Sequence, residues 1–233
     1  MSAILIFLAG IGGIIGWWMA RQRLASKPWL EVGRAGDAPQ MRGSSEAIAK
    51  LGLGIFLAVV GALFALFISA YLGRMGGADW WGIPIPRLLW VNTVALATSS
   101  VALQWAKTEA RLDRREMLDV ALAVAFVAAV LFVVGQVLAW RQLASAGYVL
   151  ADNPSNSFFY MITGLHGLHI LGGLFVLGRT AIRAGIGPAA RVHLSVELCT
   201  IYWHFMFVVW LILFAIFAGW ANSFVDLCRQ LVT

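Results

Sequence analysis

The sequence predicts an all-α integral membrane protein, built as a bundle of six transmembrane helices. Of its 233 residues, 61% are hydrophobic and only 12% are charged, which lies well outside the usage of soluble globular proteins. The charged residues are also unevenly placed, because all of them lie outside six long apolar runs. Each run has about twenty residues, enough for an α-helix to cross about 30 Å of hydrocarbon.

The six predicted spans contain no Asp, Glu, Lys or Arg. In chain order they are Ser2–Ala20, Leu51–Gly73, Leu88–Ala106, Val120–Trp140, Phe158–Gly178 and Leu198–Trp220. The first could instead be a secretory signal, but it lacks a basic start, and Trp17 and Trp18 stand where a small-residue cleavage site would lie. We therefore expect a first transmembrane helix over 1–20, a cytoplasmic loop over 21–50 and a five-helix bundle over 51–233.

The distribution of Lys and Arg predicts the topology. Thirteen of the 17 lie in segments 21–50, 107–119 and 179–197, and the other four lie in the alternate connections and the C-terminal tail. The positive-inside rule places the basic segments in the cytoplasm and both termini on the outer, periplasmic side. Topology and lipid headgroups thus account for the net charge of +6, and no nucleic acid partner is expected.

The fifth span, Phe158–Gly178, carries two histidines near its middle. His166 and His169 lie one turn apart and share a helix face. Polar groups at that depth are costly without a partner, so this helix is expected to pack into protein. Three further glycines predict a closely packed neighbour: Gly164, Gly167 and Gly172. The turn cluster at 152–156 is expected to lead into this helix.

The last span is the natural neighbour of the fifth, because it also contains a histidine. His204 lies inside this span, and Glu197 stands just before it, two turns away on the same face. His193 joins the same row if the helix begins near Pro188, a residue type favoured in the first turn.

Two motifs in these spans resemble subunit III of the haem-copper terminal oxidases. The first is FF…TGLHGLH, at Phe158–His169, and the second is H…E…YWHF…VVW, at His193–Trp210. The similarity extends to Pro86–Val101 and more weakly to the N-terminal third, where the first predicted span resembles the second helix of a seven-helix family. Two departures are Val59-Val60 and Phe207, which stand where the family has buried carboxylates.

The resemblance implies an accessory subunit without a redox centre, in a bacterial cytoplasmic membrane. It would bind catalytic subunit I directly, with subunit II in the same complex, and would hold phospholipid and sustain proton uptake during oxygen reduction. Haem and copper would lie in the partner subunits. A subunit III-like partner of a nitric-oxide reductase is the alternative, kept open by the lost carboxylates, and a free-standing membrane cytochrome b or small transporter is the alternative from another class. The sequence does not distinguish cytochrome c from quinol as electron donor.

Oxygen chemistry within the chain is not expected. An oxygen-reducing centre with a second haem needs six histidines, and the chain has four, while its two cysteines are isolated. Two interpretations of the intramembrane histidines stay open. One is a bis-histidine haem between His169 and His204. The other, favoured by the glycine-rich packing, is a hydrogen-bonded network in which Thr163, Tyr202, a backbone carbonyl or Glu197 satisfies each imidazole.

The residues at the span ends suggest two surface roles. Glu197 and His193 form either a proton-collecting pair or an ordinary helix start stabilised by the helix dipole, and the second is favoured. No metal ligand set is expected. Basic and aromatic residues at the ends of the spans predict contacts with phospholipid headgroups: Arg21, Arg23, Lys50, Arg74, Trp17 and Trp18.

Overall fold

The structure, a computed structural model, describes residues 44–184 and 189–219. Five α-helices run through this part of the chain: α1 Ser44–Arg74, α2 Leu88–Arg111, α3 Arg115–Ser145, α4 Pro154–Ala184 and α5 Ala189–Phe217. The all-helical class is confirmed for the described residues, and so are the five helices predicted after the first span. Several predictions fall outside the described residues: the span Ser2–Ala20, the loop up to residue 43, and Trp17, Trp18, Arg21, Arg23, Pro188 and Cys228.

Four of the described helices are long and apolar enough to cross a membrane, namely α1, α3, α4 and α5. The helix α2 is 24 residues long, but its polar side chains make its mean hydropathy lower than that of the other four helices. Several of those side chains point inward, since Asn92, Ser99 and Ser100 are buried. Asn92 donates to Gln136 of α3 at 3.3 Å, and Ser99 donates to the carbonyl of Ala125 at 2.8 Å. The polar residues of α2 therefore serve helix packing, and the count of six spans stays a prediction.

The ends of the helices differ from the ends of the charge-free runs. The helices α1 and α3 begin earlier than predicted, at Ser44 and Arg115, because helical hydrogen bonding continues where charged side chains reach the headgroups. The prediction that the last helix reaches Trp220 is wrong, since α5 ends at Phe217. Gly219 follows with φ +79°, the left-handed conformation that commonly terminates helices.

The predicted turn cluster before α4 is confirmed, and it caps the helix. The Oδ1 atom of Asn153 accepts a hydrogen bond from the backbone N–H of Ser155 at 3.0 Å, while Pro154 is the first helical residue. The Nδ2 atom of Asn153 also donates to the carbonyl of Trp81 at 2.6 Å. This bond ties the loop 75–87 to the start of α4.

Four helices form a ring, and α1 lies beside it. Neighbouring pairs in the ring are α2–α3, α3–α4, α4–α5 and α5–α2. Large side chains fill its centre with essentially no exposure: Leu96, Leu103, Leu122, Phe132, Trp203 and Trp210. Only 11% of the apolar stretch of α1 is buried, compared with 39%, 33% and 44% in α3, α4 and α5. The helix α1 is thus the most peripheral of the spans described.

Aromatic side chains connect α1 to the ring. Phe56 stacks on Tyr202 of α5 with ring centroids 6.3 Å apart. Phe64 lies 6.0 Å from the ring of His166 and 5.6 Å from that of His169. These contacts place α1 along α4 and α5, the two helices that carry the predicted site residues.

Candidate functional site

The helices α4 and α5 are neighbours, as predicted, and large side chains of α5 pack directly against Gly173 of α4. A Cβ atom at this position would lie 2.5 Å from the ring of Tyr202 and 2.7 Å from that of Trp203, so a side chain has no space there. The prediction that Gly167 and Gly172 admit a close neighbour is wrong for the described part of the chain, because no atom there lies within 4 Å of a Cβ built on either. The rings of Tyr202 and Trp203 occupy the space that a side chain at Gly173 would fill.

His166 is completely buried, and the predicted hydrogen-bond network fails at this residue. Among the residues that the structure describes, neither ring nitrogen has a hydrogen-bond partner. The imidazole lies instead among the rings of Phe64, Phe132 and Trp210, at centroid distances of 6.0, 5.8 and 5.2 Å. The prediction that a polar group satisfies each imidazole is therefore wrong for His166, because α1, α3 and α5 all present aromatic side chains at its position. These rings also leave no space for a haem beside it.

The side chains predicted to satisfy the histidines are engaged elsewhere. The Thr163 hydroxyl donates to the carbonyl of Phe159 at 2.6 Å and accepts a bond from Trp140 Nε1 at 3.1 Å. The Tyr202 hydroxyl donates to the backbone carbonyl of His169 at 2.7 Å, and so it contacts the main chain and not the imidazole. Both side chains hold helices together without any bond to a histidine ring.

The imidazoles of His169 and His204 are each bonded to a backbone carbonyl, which is one of the partners that the sequence predicted. The Nδ1 atom of His169 lies 2.8 Å from the carbonyl of Leu165, and that of His204 lies 2.7 Å from the carbonyl of Thr200. Because a carbonyl only accepts, Nδ1 carries the proton in both rings. Within residues 44–184 and 189–219, no group of three His, Cys, Asp or Glu side chains is placed to hold a metal ion.

Glu197 lies in an ion cluster that the sequence did not reveal. Lys50 of α1 places its Nζ 2.9 Å from Oε2 of Glu197, and Lys107 of α2 places its Nζ 3.4 Å from Oε1. Lys50 also contacts Glu46 at 2.8 Å. His193, the predicted partner of Glu197, instead lines a small cavity with Asp113 and Arg115. The positive-inside rule could have indicated this cluster, because it places Lys50, Lys107 and Glu197 on the same side of the membrane.

A cavity of about 720 Å³, here called the α4–α5 groove, lies between those two helices with α1 along one edge. Its lining is mainly apolar and includes Leu53, Phe56, Leu168, Phe175, Val176 and Leu198. Leu168 and Phe175 are 64% and 70% exposed, so the groove opens to the outside of the bundle. Arg179 and Arg183, in the last two turns of α4, add two guanidinium groups. Their charges helped to predict the topology, but no sequence pattern marked them as part of a site.

Lys50 and Arg74 are the two predicted headgroup ligands that the structure describes, and both are in ion pairs. Arg74 Nη2 donates to Asp79 Oδ2 at 2.6 Å, in the loop after α1. This bond, together with one from the loop backbone, lowers the pKa of the exposed Asp79 carboxyl. Carboxylates therefore already occupy the positions next to both cations.

Comparison with known proteins finds related sequences along most of the chain. A family model described as cytochrome c oxidase subunit III matches residues 49–222. Cytochrome c oxidase subunit 3 of Thermostichus vulcanus is 31% identical over 174 residues, which cover 71% of this chain and 84% of that protein. A probable cytochrome c oxidase subunit 3 of Mycobacterium tuberculosis is 29% identical over 160 residues, covering 66% and 77%.

Other relatives are longer than the chain. Cytochrome c oxidase subunit 3 of Prototheca wickerhamii is 30% identical over 144 residues, which cover 61% of this chain and 52% of that protein. That of Triticum aestivum is 31% identical over 149 residues, covering 64% and 53%. The chain thus spans about half the length of these two relatives.

Proposed function

The chain belongs to the cytochrome c oxidase subunit III family, and we propose that it is an accessory, cofactor-free subunit of a haem-copper terminal oxidase in a bacterial cytoplasmic membrane. It binds catalytic subunit I directly, with subunit II in the same complex, and no electron passes through it. Oxygen is reduced to water at haem and copper in the partner subunits. The observation that carries the proposal is the family match over residues 49–222, which takes in nearly all of the described bundle.

The enclosure of His166 supports the absence of a redox centre at that residue, because the rings of Phe132 and Trp210 occupy the space around its imidazole. A haem needs a large cavity with two ligands on opposed helices. The groove beside His169 is large enough to hold a ligand, but its open apolar side and its arginines suit an amphipathic molecule better.

That molecule is a phospholipid, held in the α4–α5 groove. Acyl chains lie against the apolar lining, and the phosphate meets Arg179 and Arg183, whose planar guanidinium groups can bind phosphate oxygens in pairs. Arg21, Arg23, Trp17 and Trp18 stay predicted contributors to headgroup binding. An ordered lipid at this position seals the flank of the complex against water and so supports its durability.

The chain supports proton uptake through this lipid seal and not through a proton-carrying side chain of its own. Both carboxylate oxygens of Glu197 already have a lysine partner, at 2.9 and 3.4 Å. A carboxylate held in this way fixes three helix ends, and His193 is not its neighbour in the described ion pairs. The chain therefore assists proton uptake by keeping the flank of the catalytic subunit dry and in register.

A nitric-oxide reductase partner is the second candidate, and one observation favours it. Val60 and Phe207 occupy positions where the resemblance implies carboxylates, and Val60 is only 3% exposed. A membrane-embedded proton-exchanging group is thus replaced by a buried apolar one, which fits a complex with different proton requirements.

Purification of the tagged chain from its native membrane tests the proposal. We expect a haem-copper catalytic subunit to copurify, with at least one phospholipid bound per chain by mass spectrometry. The isolated chain should show no haem absorbance and no stoichiometric metal. A six-coordinate haem spectrum that is abolished by His169→Ala would contradict the cofactor-free role. The reaction of the complex, oxygen or nitric oxide reduction, distinguishes the two candidates.

A paired substitution tests the lipid assignment in the same preparation. The double variant Arg179→Gln/Arg183→Gln should lose most of the bound phospholipid, because both guanidinium groups of the groove are removed. Arg115→Gln is the matched control, since Arg115 lies at the start of α3 and lines another cavity. Equal lipid content in both variants would contradict phospholipid binding in the groove.

A further inference from the structure

The ion pair between Lys50 and Glu197 lies where α1 borders the α4–α5 groove. We propose that it is a latch, which holds the N-terminal end of α1 beside the groove and controls the exchange of phospholipid between the groove and the bilayer. The inference rests on the proposed phospholipid role of the groove. It adds a moving part, α1, and the contact that restrains it.

The position of the ion pair relates it directly to the groove. Lys50 precedes Leu53 by three residues on α1, and Glu197 precedes Leu198 by one residue on α5; both leucines line the groove. The 2.9 Å contact therefore connects the two walls where they come together. Separating these charges would widen the groove at this end.

The contacts of α1 make it the helix that can move. Its backbone does not pack closely on the ring, and its middle is held by side-chain tips, such as Phe56 on Tyr202 at 6.3 Å. Even at Gly61, the nearest atom to a built Cβ would be the end of the Phe205 ring, at 3.4 Å. Gly173 of α4, by contrast, packs directly against Tyr202 and Trp203 of α5. Separating α4 from α5 would therefore lose close contacts in the core of the ring.

The two ends of α1 are held differently. Near its outer end, Tyr71 is 6% exposed and meets the rings of Trp80, Phe158 and Phe217 edge-on at 5.0, 5.9 and 5.6 Å. Near the other end, in the turns before Phe56, an ion pair of Lys50 connects α1 to the ring, and the Lys50 side chain is 38% exposed. Partly exposed ion pairs are screened by salt and contribute little to stability, which suits a contact that opens and closes. The aromatic cluster then acts as the pivot.

Lys107 provides a natural comparison within the same cluster. It contacts the other oxygen of Glu197 at 3.4 Å, but it belongs to α2, a helix of the ring. Removing Lys107 takes away one positive charge from Glu197, as removing Lys50 does, while leaving α1 connected. Lys50→Met and Lys107→Met therefore differ in the latch and not in the change of charge.

The experiment uses the whole complex in bilayer nanodiscs. Spin labels at exposed Ile48 of α1 and exposed Thr108 of α2, in a Cys199→Ser/Cys228→Ser background, report the position of α1 by pulsed electron resonance. Mass spectrometry follows the replacement of the bound phospholipid by isotopically labelled phosphatidylglycerol. In Lys50→Met we expect a new population at longer distance and exchange that is roughly fivefold faster or more. Lys107→Met and Lys50→Arg should keep the distance and exchange rate of the unaltered protein.

Each other outcome counts against a stated part of the inference. An unchanged distance in Lys50→Met overturns the latch. A longer distance without faster exchange overturns its control of the lipid, as does equal acceleration in Lys107→Met. If the unaltered protein carries no phospholipid in the groove, the proposed lipid role fails, while the distance measurement still decides whether Lys50 restrains α1.

Discussion

His166 and Thr163 lie one turn apart on α4, and both are completely buried, yet only Thr163 has hydrogen-bond partners. A buried donor or acceptor without a partner costs about 1–3 kcal/mol, whereas a hydrogen bond that is made contributes about 0.5–1.5 kcal/mol to stability. The imidazole of His166 is thus held by its shape and its aromatic neighbours. Its two unpaired nitrogens lower the stability of the bundle.

We predict that His166→Leu leaves the free energy of unfolding within about 1 kcal/mol of that of the unaltered protein. The loss of edge contacts with three rings is offset by the removal of two unpaired nitrogens. Thr163→Val, a substitution of the same volume, should destabilise by about 1–2 kcal/mol, because it leaves Trp140 Nε1 without its acceptor. Reversible unfolding in mixed micelles measures both. A loss of more than about 3 kcal/mol in His166→Leu would show that its nitrogens are engaged.

The sequence could place the histidines in the membrane, but it could not name their neighbours. Helical spacing is local, so it correctly put His166 and His169 within one turn of each other. The surroundings of His166 come from Phe64, Phe132 and Trp210, which belong to three other helices. The same limit explains why His193, four residues away, was expected beside Glu197.

At the scale of helices, the packing of α4 on α5 depends on one glycine among several. Gly167 and Gly173 lie on the same helix, and helical spacing places only Gly173 on the face of His166 and His169. A side chain at Gly173 would collide with Tyr202 and Trp203, whereas one at Gly167 would meet open space. A sequence shows that a helix is rich in glycine, but the partner side chains decide which glycine is required.

We predict that Gly173→Ala destabilises the protein by about 1–3 kcal/mol, because two large buried rings must shift to accept the methyl group. Gly167→Ala is the matched control and should be neutral or slightly stabilising, since alanine is the better helix former. Thermal unfolding in detergent compares the two variants directly. Equal effects of the two substitutions would show that the helices are not in contact at Gly173.

Every described helix is longer than the charge-free run that predicted it, and the reason is physical. Charge-free runs mark the hydrocarbon core, whereas helices continue until a turn residue stops them, as Asn153-Pro154 and Gly219 do here. The helix α2 was predicted as a span from its lack of charge, although its buried Asn92 and Ser99 make it less apolar than the others.

At the scale of the molecule, hydropathy predicted the class and the number of helices in the described part. It could not predict that α1 lies outside the ring formed by α2–α5, because a lipid-facing helix and a buried one are both apolar. Hydropathy could not predict the Glu197 ion cluster for the same reason. The cluster forms only because the arrangement of the helices brings Lys50 of α1 and Lys107 of α2 to Glu197 of α5. The arrangement of the helices was thus the part that composition left open.

That arrangement leads to a prediction about the proposed complex as a whole. In the proposed role, the chain seals the flank of the catalytic subunit with a lipid-filled groove and carries no electrons. Removing the chain from the complex should therefore leave the haem spectra and the initial rate of the reaction largely intact. Activity should then decay over successive turnovers, and proton uptake should slow at high pH, where protons are scarce and the flank is open to water.

The measurement follows substrate consumption through many turnovers in depleted and reconstituted complexes, with proton uptake recorded against pH. Adding back the unaltered chain should restore endurance. Adding back Arg179→Gln/Arg183→Gln should restore the assembly but little of the endurance, because the groove then lacks the groups proposed to hold its lipid. A depleted complex that loses its haems, or one that keeps full activity through prolonged turnover, would contradict the proposed function.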